Sequence, residues 1–274
     1  MKKKYKEIYR TTIRVITDSV LNRNSSKMIP SNTEKPLIMD IGMNNGRDSL
    51  FYLRKGFRVV AVEANPLLAE KARQEMSSYI DSGQLIVEEL GLEKGEGELT
   101  FYMNLDNDQW SSFNKIWGTR NGTRYQELKI KCIKPQQLFQ KHGIPYYLKI
   151  DIEGADIEVV RALHDFQERP KYISIEENQA YYFAELWAVG CREFKLIDQN
   201  NLQNTKCPYP AKEGIYVDMI FDGTTSGPFG EDTPGKWMAF DEVLEKYFTE
   251  IRSPTRGYLA GESWYDIHGH ILNR

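Results

Sequence analysis

From Leu37 onward the chain alternates short apolar runs with longer stretches in which apolar residues recur every three or four positions. The runs 37–41, 58–63, 84–89, 146–151, 172–176 and 193–198 have the length and branched content of strands. The stretches 47–55, 66–79, 155–166 and 181–190 have the period of amphipathic helices. Strand and helix in alternation argue for parallel strands joined by crossover helices, so the pattern predicts a doubly wound α/β sheet. Between the third and fourth units, 98–104 and 128–133 read as extra strands, with a short helix at 135–142. After Asp198 the signal weakens under Asn, Gly, Pro and Thr until a helix at 240–251 and a final strand near 263–268. Upstream, Tyr5, Tyr9, Ile13, Ile16 and Val20 share one face of a helix near 3–21. The Asn-, Ser- and Pro-rich stretch 22–36 then reads as a connection. Two parts result: 1–36, a helix and linker, and 37–274, a single domain with an insertion or lid region at about 201–262.

Composition fits a chain able to bury a substantial core, with 41% hydrophobic, 27% charged and 12% aromatic residues among 274. The formal charge of −3 gives no global attraction to a polyanion, so nucleic acid is not expected as a partner. Lys2, Lys3, Lys4, Lys6 and Arg10 form a local basic cluster that reads as a solvated helix end. Cys132, Cys191 and Cys207 are odd in number and widely spaced, which suggests neither a disulfide framework nor a zinc ribbon. No apolar run approaches the ~18 residues of a membrane span, and the charged N-terminus lacks a secretory core. The expectation is a cytoplasmic protein without integral membrane association; its oligomeric state stays open.

Chemistry enters at Leu37-Ile-Met-Asp-Ile-Gly-Met-Asn-Asn-Gly46, where a strand runs through Asp40 into a turn holding Gly42 and Gly46 at a helix start. Such a turn lets a cofactor approach the backbone and offers it free N–H groups. A dinucleotide site would show G-x-G-x-x-G. This turn lacks the middle glycine, and its strand acid suits a ligand with an ammonium group better than a pyrophosphate. At the end of the second strand Glu63 precedes Ala64-Asn65-Pro66, where a carboxylate accepts hydrogen bonds from both ribose hydroxyls. A nicotinamide-dependent oxidoreductase is thereby disfavoured.

These motifs resemble the FkbM family of S-adenosylmethionine-dependent methyltransferases over about residues 37–200. The matching strings are DIGMNNG at 40–46, VVAVEANP at 59–66, the Leu90-Gly91 turn followed by GEGELTFYMN at 95–104, Ser111-Ser112, and above all LKIDIEGADIEVVRAL at 148–163. The resemblance implies a class I methyltransferase fold, a Rossmann-like seven-stranded sheet with its last strand antiparallel. It implies that Asp40, Gly42 and Asn44 face the methionine moiety, that Glu63 holds the ribose, and that Leu90 and Gly91 lie near adenine; Gly46 and Ala64, in the same two strand-end turns, are expected to contact the cofactor too. The acceptor it implies is a small molecule or glycan, methylated on a hydroxyl of a sugar, glycan or secondary metabolite.

Methyl transfer from a sulfonium needs an acceptor oxygen held in line and a group to take its proton. Asp151, ending the fourth strand at the cofactor edge, is the expected base or orienting acid, with Glu153 behind it; Glu153 reads equally as a helix-entry acid. A magnesium site built from Asp151, Glu177 and Asn178 is an alternative, though not the favoured one, so no metal ligands are assigned. His268 and His270 would share one face of a strand, as a two-ligand metal site or a base would need. The glycine-rich run 226–235, flanked by Phe229 and Trp237, reads as a candidate lid. Trp110, Trp117 and Trp264 are candidates to stack on a sugar. A non-catalytic scaffold tethered by its basic helix is the remaining alternative.

Overall fold

The computed structural model describes residues 35–272 except Pro254, Arg256 and Glu262; the helix expected at 3–21 lies outside the described residues. The elements follow the expected alternation: β1 (Leu37–Ile41), α1 (Arg47–Arg54), β2 (Arg58–Glu63), α2 (Pro66–Glu75), α3 (Ser77–Asp81) and β3 (Leu85–Glu89). A small sheet follows from β4 (Gly91–Leu92), β5 (Gly97–Asn104) and β6 (Tyr125–Ile133), with α4 (Lys115–Gly118) in the long β5–β6 connection. Then come α5 (Pro135–His142), β7 (Tyr147–Ile150), α6 (Asp156–Ala162), β8 (Tyr172–Glu176), α7 (Tyr181–Ala188) and β9 (Glu193–Asp198). The chain closes with α8 (Phe240–Lys246), a two-residue ladder of β10 (Arg252–Ser253) and β11 (Gly257–Tyr258), and β12 (Tyr265–His270).

The main sheet has seven strands in the order β3-β2-β1-β7-β8-β12-β9, and β12 alone runs antiparallel to its neighbours. This is the class I methyltransferase arrangement. Because side chains alternate along a strand, β1 splits between two cores. Leu37, Met39 and Ile41 pack with α5, α6 and α7, through Leu138, Val160 and Phe183 among others. Ile38 packs on the opposite face with Phe51 and Tyr52 of α1 and Ala72 of α2. Every residue of β1 is therefore buried, and its sequence is apolar throughout except at Asp40.

Local signals set the element ends. Asn65 accepts a hydrogen bond from the Leu67 N–H and Pro66 fills the first helical position, which starts α2 right after β2. The helix expected at 66–79 breaks at Met76, whose backbone leaves the helical region, and resumes as α3. The helix expected at 240–251 ends at Lys246, and residues Tyr247–Ile251 form a wider turn that buries Tyr247 and Ile251. The extra strands expected at 98–104 and 128–133 do not join the main sheet: β5 and β6 pair antiparallel over a separate core of Phe101, Met103 and Ile130.

The lid expected at 226–235 is largely core. Phe229 is fully buried, stacked 4.4 Å from Tyr147, and Trp237 stacks on Tyr172. Among the described residues, no helix is long and apolar enough to cross a membrane.

Candidate active site

A cavity of about 350 Å³ opens where the parallel strands end. Its walls come from the turn after β1, the end of β2, the β3–β4 turn, the ends of β7 and β8, the start of β12, and two long loops. In an open α/β sheet this edge collects strand-end side chains and helix N-termini, which is why ligands bind there.

The turn after β1 is built for close approach. Gly42 sits at φ +85°, and a Cβ there would lie 1.7 Å from the Asp151 carbonyl oxygen. Only glycine lets the β1 turn lie against the end of β7. The N–H groups of Gly42 and Met43 both donate to the Val62 carbonyl at 3.0 Å, which ties the turn to β2. Asn44, also left-handed at φ 50°, lines the cavity. Gly46 does not line it; with φ +78° it begins α1 against Met76.

Glu63 occupies the cavity edge with both oxygens oriented: the Asn44 N–H donates to Oε2 and the Asn65 N–H to Oε1, each at 2.7 Å. Burial raises its carboxyl to about 7, against the lowering effect of the two N–H donors. Ala64 lies beside it, and the next turn continues the wall through Leu90 and Gly91. A Cβ on Gly91 would meet the Phe113 ring at 2.4 Å and Cys132 Sγ at 2.7 Å. With Phe101, Phe113, Leu90 and Leu92 around it, this part of the cavity is an apolar slot suited to a flat aromatic base.

Asp40 does not reach the cavity. Its side chain is fully buried, accepts a hydrogen bond from Ser49 Oγ at 2.6 Å, and faces Lys149, its register partner on β7. Lys149 was not a sequence candidate, yet it lines the cavity and its Nζ lies 3.9 Å from Asp48 and 4.0 Å from Asp151. The charge expected of Asp40 toward a ligand is thus spent on Lys149, and Asp151 and Asp48 carry the acidic surface at this point.

The string KIDIEGAD divides its work residue by residue. Lys149 neutralises Asp40. Asp151 faces the cavity with 47% of its side chain exposed. Glu153, at φ 52°, lines the cavity but its carboxylate is held by Arg120 at 2.6 Å, and the Arg120 guanidinium lies over Trp110. That pairing fastens the β5–β6 connection over the site, and burial raises Glu153 to about 7 despite Arg120. Asp156 accepts hydrogen bonds from the N–H groups of Ile152 and Gly154 and so closes the turn that presents Asp151.

Beyond Asp151 lie Glu176, the acid that ends the expected strand 172–176, the segment 223–226 of the expected lid region, and two residues the sequence does not single out, Gln199 and Asp266. Ser226 donates its N–H to Asp48, and Arg47 pairs with Asp222, so this segment is fixed to α1. Trp110 and Trp264 line the cavity, whereas Trp117 packs against the turn at Gly154.

The magnesium arrangement fails on geometry. Glu177 is buried and accepts a hydrogen bond from Tyr247 at 2.5 Å while pairing with Arg252, so it does not join Asp151. The histidine pair does not form a site either. His268 is buried, pushed down to about 3 by that burial, and His270 stacks on Tyr172 and meets Glu193.

No curated protein matches the chain significantly. Among solved structures it is similar to precorrin-6y C5,15-methyltransferase from Geobacter metallireducens GS-15, at 9% identity and TM-score 0.40, covering 88% of this chain and 82% of that one. It is also similar to a SAM-dependent O-methyltransferase from Thermotoga maritima, at 8% identity and TM-score 0.36, covering 93% and 69%. An rRNA methylase from Streptococcus thermophilus gives 11% identity and TM-score 0.35, covering 87% and 89%. Residues 40–206, from the acid of β1 past the end of β9, match the methyltransferase FkbM domain. The chain belongs to the FkbM family of methyltransferases.

Proposed function

We propose that the protein transfers the methyl group of S-adenosylmethionine to a hydroxyl of a sugar, glycan or secondary metabolite, with Asp151 as the residue that takes or steers the hydroxyl proton. The observation that carries this reading is the half-exposed carboxylate of Asp151 at the carboxyl end of β7, directly beside the Gly42 turn. Three acids near it are engaged. Asp40 faces Lys149, Glu153 faces Arg120, and Asp48 accepts the Ser226 N–H.

The residues present fit the cofactor. Glu63 has each oxygen fixed by one backbone N–H and retains lone pairs for two ribose hydroxyls. The slot of Leu90, Gly91, Leu92, Phe101 and Phe113 suits adenine, and the Gly42–Asn44 turn suits the methionine end. S-adenosylmethionine supplies, when bound, a methyl group on a sulfonium. The chain's own part is to hold the acceptor oxygen in line, to exclude water, and to receive the proton at an Asp151 carboxylate oxygen as charge develops. Residues 222–226, from the 201–262 region, would wall the acceptor side.

Incubation with methyl-labelled S-adenosylmethionine and a small-molecule extract of the source organism tests the reading. Label recovered as a methyl ether supports it; label on carbon or nitrogen overturns the hydroxyl assignment.

A further inference from the structure

Glu176 ends β8, and Asp266 lies directly opposite it in the antiparallel register with β12. Residues paired in this way point to the same face of a sheet with their Cβ atoms about 5 Å apart. Both line the cavity. Among the described residues, neither carboxylate has a hydrogen-bond or ion-pair partner, and the nearby cations are committed: Lys149 to Asp40 and Arg120 to Glu153. Like charges placed opposite one another repel. Burial and the charge of Asp151 push Asp266 up to about 8 and Glu176 well above the carboxylate range. A cation seated between them would offset both the burial and the mutual repulsion.

A second feature of the same end is independent of charge. Gln199 is 4% exposed and lines the cavity, and its side-chain Nε2 has no hydrogen-bond partner. Its backbone N–H donates to the Trp264 carbonyl at 3.0 Å, which sets it beside the start of β12 and hence near Asp266. A buried amide left unpaired is unfavourable unless a bound polar group completes it. Trp264 lines the cavity as well, and an indole face attracts cations and stacks on rings.

The cofactor's own ammonium group does not explain these acids. In the order β1-β7-β8-β12, the last strand lies three positions from β1, roughly 14 Å at the usual spacing between strands. A methionine tail seated at the Gly42 turn is thus set off from Glu176 on β8 by two strand spacings, roughly 10 Å, and from Asp266 by three. We infer that the acceptor carries a protonated amine close to the hydroxyl that is methylated, as in an amino sugar or amino cyclitol, and that Glu176, Asp266 and Gln199 select it. This rests on the methyl-transfer reading above and adds the acceptor's charge to it.

The test divides one extract of the source organism in two. One half is treated with acetic anhydride in aqueous bicarbonate, which caps amines as neutral amides and leaves hydroxyls free. Both halves are then incubated with the protein and methyl-labelled S-adenosylmethionine. Label on oxygen in the untreated half, reduced at least tenfold in the capped half, is the expected result. Equal labelling of both halves overturns the amine and leaves hydroxyl methylation standing. Label in neither half overturns the methyl-transfer reading, label on carbon or nitrogen overturns its hydroxyl assignment, and each of these overturns the present inference as well. The double variant Glu176→Gln, Asp266→Asn gives a second readout. It should raise the acceptor KM at least tenfold, hold the affinity for S-adenosylhomocysteine within twofold, and shrink the preference for uncapped over capped acceptor. An unchanged preference, or a parallel loss of cofactor affinity, assigns the two acids to structure and overturns the proposal.

Discussion

Lys149 Nζ lies 3.1 Å from Asp40 Oδ1, an ion pair whose geometry falls short of a hydrogen bond. The two are register partners on β7 and β1, and at most 4% of either side chain is exposed. Removing one member leaves the other as an uncompensated buried charge, which costs about 3–5 kcal/mol. Lys149→Met should lower unfolding stability by about that amount in urea titrations. A loss below about 1 kcal/mol would show that the pair is not needed to hold the two central strands.

Glu63 is the strongest cofactor candidate because two N–H groups fix its oxygens at the cavity edge. Glu63→Gln puts an amide N–H₂ against one of those donors and takes away a ribose acceptor. The affinity for S-adenosylhomocysteine should fall tenfold or more, about 1.4 kcal/mol per decade. Unchanged calorimetric affinity would remove Glu63 from the site.

Asp151→Asn keeps the shape of the turn closed by Asp156 but cannot take a proton. The expected loss in kcat is about 10²- to 10⁴-fold, with cofactor affinity nearly unchanged. A kcat within threefold of the parent, about 0.6 kcal/mol, would leave Asp151 without a role in proton transfer.

Turnover should survive exhaustive chelation. The second acid of the magnesium arrangement, Glu177, is held by Tyr247 and Arg252 and is not available to an ion beside Asp151. Activity lost on chelation and restored by added Mg²⁺ would reinstate the metal.

Stability should fall as pH rises from about 5 to 8. Burial raises Asp48 to about 6, Glu63 to about 7, Glu153 to about 7 and Asp266 to about 8. Each therefore binds a proton in the folded state that the unfolded chain has already released. The folded state then holds more protons across this window, and the slope of unfolding free energy with pH is negative. Asp266→Asn should flatten the upper part of that slope. Midpoints of thermal unfolding measured across the window check it, and an identical slope in the variant would contradict the raised acidity of Asp266.

The alternation of apolar runs and helical stretches was enough to give the strands β1, β2, β8 and β9 with their full bounds, and the helix 135–142. Strand and helix periods are local properties, written in consecutive residues. The Gly42 turn and the end of β2 were legible for the same reason, since a backbone position that only glycine tolerates and an acid at a strand end both leave a mark in a short string. Lys149 left none. A lysine inside an apolar strand declares nothing until its neighbour across the sheet is known to be Asp40. Asp266 was hidden similarly: the sequence drew attention to His268 and His270 two and four residues later, while the antiparallel direction of β12 brings its beginning to the cavity.

The sequence by itself therefore determined the succession of elements, the glycine turn, the acid that ends β2 and the family to which the string KIDIEGAD points. Tertiary structure alone decided which acids are free. Whether a carboxylate is neutralised depends on partners from distant segments: Asp40 on Lys149, Glu153 on Arg120, Glu177 on Arg252. Strand order and loop placement set those distances, and over a few ångströms they separate a structural ion pair from a group able to act on a ligand.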